Sequence, residues 1–120
     1  MTKKLTALFL LVLAGCATTP QFGAQDRTAL QPNIDTYHSC LEGETTKVMG
    51  GSNDVRFMTN IVLRNCDDKL DPIANYLRGR GFGYRFVHNY VQNLRYNAGN
   101  TVASHILHAN STRARSSSGQ

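Results

Sequence analysis

An all-α fold, a small bundle of three to four helices closed by one disulfide, is predicted by three features of the 120-residue sequence. Apolar residues recur at steps of three, four and seven through most of the chain. No segment sustains a period of two. Two cysteines stand apart from each other in the body of the sequence. The composition agrees, since 41% hydrophobic residues are enough to build one core and 18% charged residues are too few to keep the chain disordered.

The first element is a leader. Lys3 and Lys4 precede an apolar stretch at residues 5–13 that is too short to span a bilayer as a stable helix. Leu13-Ala14-Gly15-Cys16 follows, with two small residues directly in front of a cysteine. Small residues here let an extended backbone enter a narrow protease cleft, and the cysteine offers a thiol for alkylation by a diacylglycerol. This block resembles the lipobox of bacterial lipoprotein precursors. The resemblance implies removal of residues 1–15, with Cys16 becoming the triacylated N-terminal residue of the mature chain. Acyl chains contribute about 0.8 kcal/mol per buried CH₂, so two or more give stable anchoring. Ala17 stands where an aspartate retains many such proteins in the inner membrane, which favours the periplasmic face of the outer membrane.

About a hundred residues remain after residue 15, enough for one small domain and not for two. Residues 16–31 carry Thr, Pro, Gly and Gln without apolar periodicity and are expected to form a lipidated flexible tether. Residues 110–120 are polar and Ser-rich and are expected to form a disordered tail. The helical domain is then residues 32–109. Ile34, Tyr37, Leu41 and Val48 place a first helix at residues 33–49. Gly50 and Gly51 break it, and Asp54 is a candidate N-cap for the next. Val55, Met58, Val62, Cys66 and Leu70 form the second stripe. At Asp71-Pro72 the proline either kinks that helix or opens a new one. Ile73, Tyr76 and Leu77 continue an apolar face until Gly79. The last helix, residues 84–109, carries Val87, Tyr90 or Val91, Leu94, Ala98, Val102 and Ile106, with a bend possible at Gly99.

With Cys16 assigned to lipid, Cys40 and Cys66 remain. In an exported chain such a pair is most simply a disulfide. The alternatives are two buried thiols or a metal site, for which nothing nearby supplies further ligands. An antiparallel hairpin across Gly50-Gly51 would leave the two cysteines only about 4 to 5 Å apart along the helix axes, within reach of a disulfide if the side chains face each other.

Charge divides the chain. All eight acidic residues lie at or before Asp71, whereas Arg78, Arg80, Arg85, Arg95, Arg113 and Arg115 follow it. One reading is a solvated surface whose ends attract each other. The other is a cationic face for an anionic neighbour, with Arg78, Arg80, Arg85 and Arg95 as its contacts. The location implied by the leader makes lipid headgroups, glycan or an acidic protein the expected partner and excludes nucleic acid, which also demands a denser basic array. The run Arg78-Gly79-Arg80-Gly81-Phe82-Gly83-Tyr84 matches neither a P-loop nor a dinucleotide fingerprint. It reads as a helix-ending turn and as the first candidate contact loop.

His88, His105 and His108 lie on one predicted helix, but no cysteine or carboxylate joins them and no HExxH is present, so no metal is expected. There is no Gly-x-Ser-x-Gly elbow, and adjacent Asp67 and Asp68 on a helix point in different directions. No catalytic residue and no cofactor are assigned. The expected function is a non-catalytic, membrane-anchored cell-envelope protein, a docking or accessory subunit that meets the membrane through its lipid and another envelope protein through its folded body. In size, helicity, lipobox and disulfide the chain looks like the small helical lipoproteins that assist secretion or outer-membrane assembly, such as pilotins. The alternatives are an inhibitor or exclusion factor, or a direct binder of anionic lipid or glycan. Inhibition of a basic lysozyme would require exposed carboxylates, which only the first two helices offer.

Overall fold

Helix α1 (Ala24–Val48) leads into α2 (Val55–Cys66), a 3₁₀ turn (Asp67–Leu70), α3 (Asp71–Gly79) and a long α4 (Tyr84–Ser118) in a computed structural model that describes residues 18–51 and 54–119. Among the described residues there is no strand. The lipobox and Cys16 lie outside them. The chain runs up through α1, back down through α2, the 3₁₀ turn and α3, and up again through α4. Two contacts fix these directions. Phe22, just before α1, packs on Phe82, Phe86 and Tyr90 around the start of α4. At the opposite end the Arg113 guanidinium of α4 lies over Gly50 in the α1–α2 turn.

The core follows the predicted stripes. Tyr37 and Leu41 of α1, Met58, Val62, Leu63 and Cys66 of α2, Ile73 and Leu77 of α3, and Val87, Ala98, Val102 and Ile106 of α4 are buried together. Asp54 caps α2 by accepting the Phe57 N–H at 3.0 Å, as its position predicts. The break at Asp71-Pro72 is resolved as a new helix. Pro72 sits in the first turn of α3, where its missing N–H costs nothing, and Asp71 is the first helical residue, with no side-chain hydrogen bond at the cap. Gly99 causes no break in α4. A Cβ there would meet Leu63 Cδ1 at 3.3 Å, so its small size serves the close approach of α2 and α4.

Cys40 and Cys66 form the disulfide, with Cα atoms 5.8 Å apart. It joins the middle of α1 to the end of α2, the two helices that the hairpin arithmetic brings together.

Two boundaries differ from expectation. Residues 24–31, assigned from sequence to the tether, are helical, because α1 begins at Ala24 and runs through Pro32. Asp26 and Leu30 are buried at its start, 1% and 0% exposed. Their packing holds the first two turns in place although Pro32 removes one backbone donor. Since an interior proline costs about 3 kcal/mol relative to alanine and returns less than about 1 kcal/mol by restricting the unfolded chain, Pro32→Ala should stabilise the domain by about 2 kcal/mol in urea unfolding. An unchanged or lower midpoint would mean that the proline is not strained there. The tail predicted to begin at residue 110 instead continues α4 as exposed helix. Ser111, Thr112, Ser116, Ser117 and Ser118 donate hydroxyl hydrogen bonds to carbonyls three or four residues back.

Candidate functional site

The end of the bundle where the described chain begins is organised around one carboxylate. Asp26 lies in the first turn of α1, and its Oδ2 accepts the Gly23 N–H at 3.1 Å. This is half of a capping box, the glycine having no side chain to return the bond. Its Oδ1 accepts Arg80 Nε at 2.7 Å and the Tyr76 hydroxyl at 3.0 Å. The Arg80 guanidinium above all, with the Gly23 N–H next, holds the Asp26 carboxyl down at about 2, from an ordinary 3.8. The same contact raises Arg80. Burial, reinforced by the hydrogen bond to Asp26, raises Tyr76.

The glycine-rich run forms the end of α3. The Gly81 N–H bonds the Arg78 carbonyl at 2.9 Å and the Phe82 N–H bonds the Leu77 carbonyl at 3.1 Å. Gly81 is left-handed, with φ +89°. Together these make a Schellman motif, in which buried Leu77 and Phe82 supply the accompanying apolar contact. A left-handed conformation costs a non-glycine residue about 1 to 2 kcal/mol. Gly81→Ala is therefore expected to lower unfolding free energy by that amount in chemical denaturation, whereas no loss would mean that the turn relaxes freely. Beyond the turn, Phe82 and Phe86 stack at 4.5 Å, and Tyr84 stacks on His88 at 5.7 Å.

The predicted arginine contacts are divided by the fold. Arg80 is committed to Asp26. Arg95 is committed to Asp67, donating from Nε at 2.8 Å and from Nη2 at 3.2 Å, which ties the 3₁₀ turn to α4 and raises the arginine. The guanidinium groups of these two pair with carboxylates of the same chain. Arg78 and Arg85 remain exposed, and Arg78 donates to the Asn75 side-chain oxygen at 2.9 Å. They flank the α3–α4 turn. Tyr84, 81% exposed, opens α4 and lines a cleft with Arg78.

A second feature, which sequence reading missed, is an open cleft of about 450 Å³ between α1 and α4. Leu41, Ala98 and Val102 form an apolar floor, with His38, Glu42, Thr101 and His105 around it. His38 and His105 are 67 positions apart in the sequence, so only the up-down-up path of the chain, which sets α1 and α4 side by side and parallel, brings them to one cleft. Among the described residues no group of three or more His, Cys, Asp or Glu side chains is arranged to hold a metal ion. No described helix is long and apolar enough to cross a membrane.

No known protein family, curated protein or solved structure matches the chain.

Proposed function

We propose that this chain is a lipid-anchored cell-envelope protein that works as a non-catalytic docking domain. Cys16 carries the lipid, the disulfide-bonded bundle is the body, and the α1–α4 cleft receives an amphipathic segment of another envelope protein. The observation that carries the docking reading is the cleft itself. It is open to solvent, floored by side chains of the core and edged by hydrogen-bonding groups, which suits a helix or strand with one apolar face. The lipobox carries the anchoring and, with Ala17 next to Cys16, favours the outer membrane.

Photo-reactive residues at Glu42 and Thr101 in intact cells test the reading, with exposed Arg64 on α2 as control. The expected result is the same discrete protein adduct from both cleft positions and not from position 64, lost when Cys16→Ser releases the chain from the membrane. Adducts of equal pattern from all three positions, or none from the cleft, would remove the cleft as the docking surface.

A further inference from the structure

We infer that the α3–α4 end of the bundle lies against the membrane and that Arg78, Tyr84, Arg85 and Phe86 form a headgroup-binding face for anionic phospholipid. The inference rests on the lipid anchoring proposed above and adds an orientation to it. Thr18, Thr19, Pro20 and Gln21 line an open cleft with Arg80 and Gly81, Pro20 being the nearest side chain to Gly81, and Phe22 is held by Phe82, Phe86 and Tyr90 at centroid distances of 6.1, 5.9 and 5.2 Å. Cys16 is two residues ahead of Thr18, and two residues span at most about 7 Å. A lipid on Cys16 therefore brings this end of the bundle to the bilayer surface, because too little chain remains between them to act as a long tether.

The surface at that end has the composition of a membrane interface. Tyr84 is 81% and Phe86 38% exposed, and aromatic side chains of this kind sit at headgroup level with the ring among the first methylenes. Arg78 at the end of α3 and Arg85 in the first turn of α4 are exposed at the same end of the bundle, where arginine pairs with phosphate in a planar, two-point fashion. The carboxylates nearby offset them only in part. Asp26 is buried and paired with Arg80. Asp71, exposed, shares the α3–α4 cleft with Arg78, Tyr84 and His88, and no acidic residue follows it in the chain. From Tyr84 to Leu107 along α4 is about 35 Å, so the two ends of the bundle report separately on the bilayer.

The absence of tryptophan supplies the experiment. Y84W and L107W each place a single fluorophore at an exposed position, one at each end. Full-length lipidated protein carrying either change is reconstituted into phosphatidylethanolamine vesicles with phosphatidylglycerol, brominated phospholipid serving as quencher. Quenching in the Y84W protein is expected to exceed that in the L107W protein by at least about threefold. Adding R78E and R85E to Y84W should reduce it by about half or more, in anionic vesicles and not in vesicles of phosphatidylcholine alone. Protein that fails to float with vesicles overturns the anchoring itself. Protein that floats, but is quenched equally from both ends or more from position 107, overturns the orientation alone. Quenching unaffected by R78E and R85E overturns the arginine contacts with anionic headgroups.

Discussion

Replacing Cys40 and Cys66 together by alanine is expected to destabilise the domain by about 3 to 4 kcal/mol, the largest loss foreseen for any change outside the lipid anchor. The two cysteines are 26 positions apart. The cross-link denies the unfolded chain the conformations in which that loop is open, an effect that grows only slowly with loop length. Cys66 is fully buried among the core side chains, so alanine is preferred to serine, whose hydroxyl would enter the core without a partner. For a domain of this size the loss corresponds to a fall of roughly 15 to 25 °C in melting temperature. Far-UV circular dichroism during heating, with and without reductant, measures it. Reductant should reproduce the double replacement in the wild-type protein and leave the variant unchanged. Equal melting of wild type with and without reductant would mean that the cross-link does not constrain the chain in solution.

The second large effect concerns Asp26, whose replacement by asparagine is expected to destabilise the fold in a pH-dependent way. A carboxyl held at about 2 in the folded chain and titrating near 3.8 when unfolded stabilises the fold while it is ionised in both states. The contribution is complete above the unfolded value. It is lost as pH falls from about 4 toward 2, because the unfolded chain then takes up the proton first. The stability difference between wild type and Asp26→Asn should therefore be constant from neutral pH down to about pH 5 and shrink steadily below about pH 4. Urea unfolding at a series of pH values measures the difference. A difference independent of pH would show that the carboxylate's charge contributes nothing. The change should also free residues 18–22 from the bundle, since the same carboxylate fixes the Gly23 N–H and Arg80. The quenching contrast between the Y84W and L107W reporters should then weaken.

Much of the fold was legible because helical stripes report burial directly. Met58, Val62, Cys66 and Leu70, and then Val87, Ala98, Val102 and Ile106, are buried where their spacing placed them. The disulfide was legible because two cysteines either side of a glycine turn fall nearly level in a hairpin. The start of α1 was not. Residues 24–31 offer one buried leucine and a buried aspartate, and a carboxylate in a core follows no apolar period. Pro32 pointed the other way, toward a break that tertiary packing overrides. The far end of α4 escaped for a related reason: an exposed polar helix has no buried face to mark it.

At the site, charge was legible and its use was not. The sequence shows that arginines follow the last carboxylate. Only the fold shows that Arg80 and Arg95 turn back onto Asp26 and Asp67, while Arg78 and Arg85 stay exposed. The arginine-rich half is thus in part a self-neutralising surface, as one sequence reading has it, and Arg78 and Arg85 are the exposed remainder on which the proposed headgroup contacts rest. The α1–α4 cleft depends on pairing residues from opposite ends of the chain, which no local pattern encodes.

Membrane attachment through Cys16 underlies both the proposed docking role and the orientation of the bundle. Mass spectrometry of the N-terminal peptide, from protein extracted from the membranes of cells expressing the full chain, tests it most directly. The predicted result is a peptide beginning at Cys16 and carrying a thioether-linked diacylglycerol with an acylated amino group. A chain still beginning at Met1, or one cut elsewhere with the Cys16 thiol free, would contradict it.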